Sequence, residues 1–309
     1  MKAQLSALGI GVTLRQLAKI RLGRLYQYPP RPLSVTRLAR ADEEVDLPQI
    51  SVVTPSFNQA PFVVTTLSSV VGQNYPRLQY VVQDAQSGDG TGEILERYRQ
   101  SGVDIRIEAD NGQTDALNRG FARSSGEIMA YLNSDDFWLP GTLGLVGRYF
   151  RDHPSADVIY GNRLIVDEHD REVGRWVLPD HDEDVLRLVD YVPQETMFWR
   201  RAIWERAGGR FDTRFRFAMD WDLILRFMEA GAEFHHVPEL FAVFRVHGMQ
   251  KSQADFLARG AQEMAEVRAR SGVEAVSLQR RVRLHYAYLA RHRRADASFE
   301  ASLRESKEK

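Results

Sequence analysis

Residues 128–136 read Ile-Met-Ala-Tyr-Leu-Asn-Ser-Asp-Asp, an apolar run that ends in two adjacent carboxylates. A short apolar run bounded by polar residues predicts a buried strand, here over 128–132. Ligands of open α/β sheets bind at the carboxyl ends of the strands, so Asp135 and Asp136 would stand at such a site. Paired carboxylates there suit a hard divalent cation, Mg²⁺ or Mn²⁺. The alternative is that 134–136 only cap the following helix.

The residues before this stretch repeat one pattern of strand and helix. Apolar runs predict strands at 50–54, 78–83 and 105–108, and helical stretches are predicted at 62–73, 93–99 and 114–124. This alternation predicts an α/β fold with a Rossmann-like, mostly parallel sheet flanked by helices. Polar clusters follow the strand ends, at 55–58, 84–91, 110–115 and 133–136. We therefore expect four polar loops to meet on one rim of the sheet.

Composition excludes several classes of protein. The chain has 309 residues, 43% hydrophobic and 27% charged, which is ordinary for a globular protein. It has no cysteine, which excludes disulfides, cysteine-bound zinc, iron–sulfur clusters and thiol nucleophiles. A net charge of −1 does not favour nucleic acid as a partner. Without a long apolar run or a signal-peptide pattern, we expect a cytoplasmic protein, at most at the inner face of the membrane.

The first 40 residues carry eight basic side chains and no acidic one. Leu14, Leu17, Ala18 and Leu25 recur at roughly helical spacing between them. Such a helix can bind peripherally to an anionic membrane surface. Alternatively, the helix docks on its own domain with a solvated basic face, and the sequence favours this second interpretation.

The second half predicts a mixed structure. Strands are predicted at 157–160, 163–166, 173–177 and 241–246, with a helix at 222–230 and two helical stretches after 254. The chain is accordingly divided into a basic segment and linker (1–47), two halves (48–136 and 137–253) and a helical extension (254–309). Asp222 is predicted to cap its helix, which leaves Asp220 free to act as a base. His247, after a strand, is either a metal or diphosphate contact or a structural side chain.

Several motifs, in order, resemble those of family 2 glycosyltransferases. They are residues 48–59, 82–91, 115–120, 126–128, 132–136 and 219–223, and the resemblance covers about 48–250. It implies a GT-A fold with a nucleotide-sugar-binding half and a mixed acceptor-binding half. It also implies non-processive, inverting transfer of one sugar from a UDP-, dTDP- or GDP-linked donor. The acceptor would be a sugar or a lipid-linked sugar, in polysaccharide or glycoconjugate biosynthesis.

The resemblance also implies roles for single residues. Donor contacts would come from Thr54, Pro55, Phe57, Asp84, Gln113, Asp115, Ser134 and Asp135. Asp135, Asp136 and His247 would hold the metal, with Asp136 the stronger candidate for direct ligation, and Asp220 would be the catalytic base. The chain departs from the family pattern at Asn133, where many members have Asp, and at Met219, where many have Glu. Acceptor walls are expected from Trp176, Trp199, Trp204 and Trp221.

Two other functions stay open from the sequence. A nucleotidyltransferase also binds nucleoside phosphates on an α/β sheet, although residues 54–59 lack the glycine and the basic residue of a phosphate loop. A non-catalytic sugar-nucleotide-binding protein is the other alternative, and the carboxylates at 84, 135, 136 and 220 argue against it.

Overall fold

The computed structural model describes residues 21–33, 46–248, 259–271 and 276–308. The strands are β1 (Ile50–Ser56), β2 (Leu78–Asp84), β3 (Asp104–Ile107), β4 (Ile128–Tyr131), β5 (Phe137–Trp138), β6 (Val158–Val166), β7 (Glu172–Trp176), β8 (Phe198–Arg200) and β9 (Phe234–Arg245). The helices are α1 (Val63–Val71), α2 (Thr91–Tyr98), α3 (Gln113–Ala122), α4 (Thr142–Asp152), α5 (Glu183–Leu186), α6 (Arg201–Arg206), α7 (Met219–Glu229), α8 (Ala261–Arg270) and α9 (Leu278–Glu308).

One sheet runs through both halves of the chain. Its strand order is β3-β2-β1-β4-β8-β6-β9-β5, and β7 pairs with β6 beside this path. The first four strands are parallel, β8 is antiparallel to both β4 and β6, and β6 is parallel to β9. The predicted α/β class with a mixed second half is confirmed. The predicted boundary at residues 136 and 137 lies within this sheet, and the four-part division stays a prediction.

The central strands are buried on both faces, as continuous apolar runs predict. Every residue of β1 is buried. Val52 packs in the apolar cluster on one face, with Val63 of α1, and Val53 packs in the cluster on the other, with Leu117 of α3. At Gly120 of α3 an added Cβ would lie 2.4 Å from Val53 Cγ1, so the helix approaches the strand too closely for any side chain there.

Two boundaries in the second half differ from the prediction. The segments predicted as separate strands at 157–160 and 163–166 form one strand, β6, whose register shifts on both sides of Asn162. At Gly161, between them, a Cβ would come within 2.7 Å of the Phe241 ring, which explains the glycine inside a strand. Helix α7 begins at Met219, so the prediction that Asp222 caps it is wrong.

Asp222 instead lies in the first turn of α7 and forms ion pairs. Its carboxylate accepts hydrogen bonds from Arg226 at 2.9 Å and from Arg270 of α8 at 3.2 Å. The helix therefore begins three residues earlier than its polar pattern indicates, because Met219 faces the core rather than the loop.

The described part of the basic segment docks on the body of the protein. Leu22 N donates to His292 Nε2 of α9 at 3.0 Å, and Arg21 pairs with Asp296 at 3.2 Å. Arg31 pairs with the buried Glu172 of β7 at 2.7 Å. Residues 21–33 thus dock on the protein, as the second interpretation predicts, but they form no helix, so the predicted helical spacing is wrong at Leu25. Residues 1–20 lie outside the described residues. Within the described ranges, no helix has the length and apolarity to cross a membrane.

Candidate active site

A cavity of about 680 Å³ opens at the carboxyl ends of β1 and β4 and continues to the start of α7. Seven of the residues predicted from the sequence line it: Pro55, Phe57, Gln113, Ser134, Asp135, Trp176 and Asp220. They come from the end of β1, from the segments that follow β1, β3 and β4, from β7 and from the first turn of α7, and Ala85 of the loop after β2 lines the cavity as well. The expected meeting of polar loops at the strand ends is thus observed, and the cavity is large enough for a small organic ligand.

Three predicted donor contacts lie beside this cavity rather than in its lining. Thr54 is buried, with its hydroxyl 3.0 Å from that of Tyr80. Asp84 accepts hydrogen bonds from the backbone N and the hydroxyl of Ser87, at 2.9 and 2.7 Å, and so shapes the loop after β2. Asp115 pairs with Arg119 at 2.8 Å and lines a second cavity of about 510 Å³. The roles of these three residues in donor binding stay predictions.

The loop after β4 places its two carboxylates differently. Asp135 lines the cavity, and its Oδ2 lies 3.0 Å from Nε2 of His247. Asp136 is only 1% exposed and its Oδ1 accepts a hydrogen bond from Arg245 N at 2.9 Å. Burial, together with the neighbouring Asp135 carboxylate, raises the pKa of Asp136 well above its usual range. Asp135 is therefore the more accessible of the two, although the sequence favoured Asp136 as the metal ligand.

Two polar atoms at and near this loop are of the chemical type that binds a divalent cation. Asp136 Oδ2 and His247 Nδ1 are buried, and neither has a hydrogen-bond partner among the described residues. Carboxylate oxygens with one imidazole form a donor set that Mg²⁺ or Mn²⁺ accepts. Across the described ranges, no three His, Cys, Asp or Glu side chains are grouped so as to hold an ion. An ion here would therefore need further ligands from substrate or water.

Asp220 occupies the other functional position in the cavity. It lies in the first turn of α7, and its Oδ1 accepts a hydrogen bond from Trp221 N at 2.9 Å. Burial raises the pKa of the Asp220 carboxyl to about 6, and the nearby Glu195 carboxylate adds to this shift. A carboxyl with a pKa near 6 is suited to act as a general base at neutral pH.

Sequence reasoning missed a charged group in the same cavity. Arg163 of β6 lies with its guanidinium 3.5 Å from the centre of the Trp176 ring and donates to Glu195 at 3.2 Å. Asp190 also lines the cavity, and its buried Oδ1 has no hydrogen-bond partner among the described residues. The available signal was the polar pair Gln194-Glu195 inside an otherwise mostly apolar stretch before β8.

Of the four tryptophans predicted to form acceptor walls, only one lies at the cavity. Trp176 lines the cavity, as expected of an acceptor wall. Trp199, Trp204 and Trp221 are buried in the core at 0%, 4% and 0% exposure, so the expectation that they form acceptor walls is wrong. They pack in the core because a large aromatic side chain buries more apolar surface there than it would in the wall of a polar cavity.

The sheet order and the loop-built cavity define a GT-A glycosyltransferase fold. Residues 51–219 match the model of the family described as glycosyl transferase family 2. This match spans more than half of the chain, and the chain belongs to that family.

Relatives of similar sequence include an uncharacterized glycosyltransferase, alr2836, of Nostoc sp., 24% identical over 73% of this chain and 72% of the relative. The O-antigen biosynthesis protein RfbC of Myxococcus xanthus is 28% identical over 79% of this chain. The chain spans 18% of RfbC and 22% of another relative, the uncharacterized protein y4gI of Sinorhizobium fredii, about a fifth of each.

Solved structures share the fold at low sequence identity. S. aureus TarS in complex with UDP-GlcNAc superposes with a TM-score of 0.61 at 17% identity, over 72% of this chain and 66% of TarS. The mannosyltransferase PcManGT from Pyrobaculum calidifontis, in complex with GDP-Man and Mn²⁺, gives a TM-score of 0.59 at 21% identity, over 97% and 84%.

Proposed function

We propose that the chain moves one sugar from a nucleoside diphosphate sugar to an acceptor hydroxyl, with inversion at the anomeric carbon. The observation that carries this proposal is one cavity lined by Asp135 after β4 and by Asp220 at the start of α7. Asp135 is suited to bind a cation that in turn binds a diphosphate, and Asp220 is suited to act as a base. A nucleotide-sugar donor is also supported by the UDP-GlcNAc and GDP-Man complexes of the similar folds.

The donor nucleotide would lie over the loops after β1 and β2. Phe57 is 55% exposed at the cavity wall, which leaves its ring face open to a base. Pro55 and Phe57 would frame the base and Asp84 would accept a hydrogen bond from it. Thr54, Gln113, Asp115 and Ser134 complete the proposed donor contacts.

The leaving diphosphate carries negative charge, which a divalent cation offsets when bound. Asp135, Asp136 and His247 would contribute to holding Mg²⁺ or Mn²⁺ beside it, with further ligands from the diphosphate or water. The Mn²⁺ of the PcManGT complex supports metal use in this fold. Asp135 would reach the ion directly because it lines the cavity, whereas Asp136 would have to use its buried Oδ2.

The ionised Asp220 would accept the proton of the acceptor hydroxyl as its oxygen attacks the anomeric carbon. Attack from the face opposite the diphosphate inverts the configuration at that carbon. The surrounding walls exclude water, which would otherwise hydrolyse the donor.

We further propose a role in surface polysaccharide or glycoconjugate assembly, at the cytoplasmic face of the membrane with a sugar or lipid-linked acceptor. The names of relatives support it: one is an O-antigen biosynthesis protein and another a putative teichuronic acid biosynthesis glycosyltransferase of Bacillus subtilis, 36% identical over 96 residues. The basic residues 1–40 are compatible with an anionic surface nearby.

Asp220→Asn tests the proposal, because it keeps the shape of the side chain and removes the proton acceptor. Transfer should fall by roughly 10²–10⁴-fold. Donor binding, measured by thermal shift with Mn²⁺ and a set of nucleoside diphosphate sugars, should change little.

Asp222→Asn is the matched control on the same helix turn. It removes the charge that pairs with Arg226 and Arg270 but keeps a side-chain oxygen that can accept their hydrogen bonds, so it should lower stability and leave the position of Asp220 and the chemistry unchanged. Loss of transfer in Asp222→Asn but not in Asp220→Asn would mean that the base is Asp222 rather than Asp220. Loss of donor binding in both variants would mean that the start of α7 belongs to the donor site. A wild-type chain that binds donors and neither transfers nor hydrolyses them is a binding protein. Release of pyrophosphate from a nucleoside triphosphate marks a nucleotidyltransferase.

A further inference from the structure

The helix that carries Asp220 has no cap of its own. Its N-cap position is Ala218, and no side chain of the α7 segment accepts a hydrogen bond there as a cap. The preceding residues, Arg216 and Phe217, line the cavity, so their backbone sets both the cavity wall and the start of the helix. A loop in this position needs acceptors for its N–H groups wherever water is excluded.

The acceptor comes from a distant part of the chain. Glu263 of α8 is 7% exposed, and one of its oxygens, Oε2, accepts three backbone hydrogen bonds. The donors are the N–H groups of Arg216, Phe217 and Ala218, at 3.0, 2.7 and 3.1 Å. Ala218 and Glu263 are 45 residues apart in sequence.

Two further contacts of the α8 segment bear on the same region. Gly260, immediately before α8, lies so close to Phe217 that an added Cβ would be 3.0 Å from its ring. At the other end of α8, Arg270 bonds Asp222 of α7 at 3.2 Å. The α8 segment therefore fixes both the loop before α7 and its first turn.

We infer that Glu263 is a positioning residue for sugar transfer: its carboxylate fixes residues 216–218 and thereby aims Asp220 at the acceptor. This inference rests on the proposed function, in which Asp220 is the base. Glu263 acts through the backbone and does not line the cavity. A displacement of about 1 Å at a reacting group can cost on the order of 100-fold in rate, so a loosened loop should reduce transfer strongly.

Three substitutions in the full chain separate positioning from folding. Glu263→Leu removes the acceptor, whereas Glu263→Gln keeps a carbonyl oxygen that can take the place of Oε2. Glu266→Leu, on the exposed side of the same helix, is the matched control, since Glu266 forms an ion pair with Arg270 at 3.2 Å and does not contact residues 216–218 in the described part of the chain. All three are compared by thermal melting, Kd for the donor, and kcat for transfer.

We expect Glu263→Leu to lower kcat for transfer by about 10- to 100-fold with donor Kd unchanged. Glu263→Gln should keep most of the activity, and Glu266→Leu should match the wild type. Equal kcat in Glu263→Leu and Glu266→Leu overturns the inference, as does a Glu263→Gln variant as slow as Glu263→Leu. If Glu263→Leu does not fold, Glu263→Asp, which withdraws the carboxylate by one methylene, should fold and show the same selective loss of kcat; an unchanged kcat in Glu263→Asp then overturns it.

The dependence of kcat on pH supplies a further test, because it would not change if Glu263 only stabilised the fold. Tyr131, Asp190 and Glu195 interact electrostatically with Asp220, and Asp110, Asp135, Arg163 and Arg216 line the same cavity; none of them is changed in these variants. If the loop loosens and water reaches Asp220, the acid limb of kcat should move below its wild-type position. A lower kcat with an unmoved limb would mean fewer folded molecules and would overturn the positioning role. Asp220→Asn is measured in the same experiment. If Asp220→Asn still transfers the sugar, the proposed base is wrong. If Asp220→Asn loses transfer while Glu263→Leu stays fully active, only the inference about Glu263 is refuted.

Discussion

At the scale of single residues, the charge of Asp220 sets a pH dependence. A base must be ionised to accept a proton, and burial raises the pKa of the Asp220 carboxyl to about 6. We therefore expect kcat to fall as the pH drops below about 6 and to level off above it. The measurement is kcat against pH at saturating substrates, with Asp222→Asn as a variant that should keep the limb. An acid limb near pH 4, the ordinary value of aspartate, would contradict the assignment.

The two carboxylates after β4 make a second prediction at this scale. Asp135→Asn and Asp136→Asn should each weaken Mn²⁺-dependent donor binding, by about 10- to 100-fold in metal affinity if both carboxylates act on the ion. Asp136→Asn keeps a side-chain oxygen that can accept the hydrogen bond from Arg245 N, so its melting temperature without metal should stay close to that of the wild type. Binding is titrated with Mn²⁺ and then with excess chelator. Full transfer activity in excess chelator, or in both variants, would contradict the proposal that a metal ion binds at this site.

At the scale of elements, α3 packs closely on β1, and both elements contribute residues to the cavity lining. Gly120→Ala would place a Cβ 2.4 Å from Val53 Cγ1, and this overpacking should lower the free energy of unfolding by about 1–3 kcal/mol. Gly92→Ala, in α2, meets Ile107 at an ordinary 3.7 Å and should be neutral or stabilising by up to about 1 kcal/mol. Urea unfolding compares the two; equal stabilities would mean that the helix shifts freely on the strand.

The elements also show what the sequence could and could not predict. The strands of the first half follow from apolar runs, because both faces of those strands are buried and local pattern suffices. The sequence predicts two strands where the structure has β6, because the local pattern does not show that Phe241 of β9 packs against Gly161. It predicts the start of α7 at 222 because Asp222 has the residue type of a cap, whereas the residues before α7 are held by Glu263, 45 residues from Ala218.

The site divides in the same way. Asp135 and Asp220 were predicted because each stands in a short motif at the end of a strand or the start of a helix. Arg163 and Glu195 were not, because 32 residues separate them and only the packing of β6 beside the turn at Gln194–Thr196 brings them together. Tertiary partners of this kind leave little periodic signal in one sequence.

At the scale of the whole molecule, membrane contact through the basic segment stays a prediction. Lys2, Arg15 and Lys19 replaced together by Gln should reduce sedimentation with anionic vesicles at low salt, because each basic residue near such a surface contributes about 1 kcal/mol. Neutral vesicles and high salt are the controls. Equal sedimentation of the variant and the wild type would contradict membrane contact through these charges.

The bond between Leu22 and His292 joins parts of the chain 270 residues apart, and this has a consequence for synthesis on the ribosome. Residues 21–33 leave the exit tunnel long before the partners of Arg21, Asp296 and Glu300, are translated. In that interval the basic residues of this segment are without their final docking site. An anionic surface near the ribosome can meet them before α9 emerges.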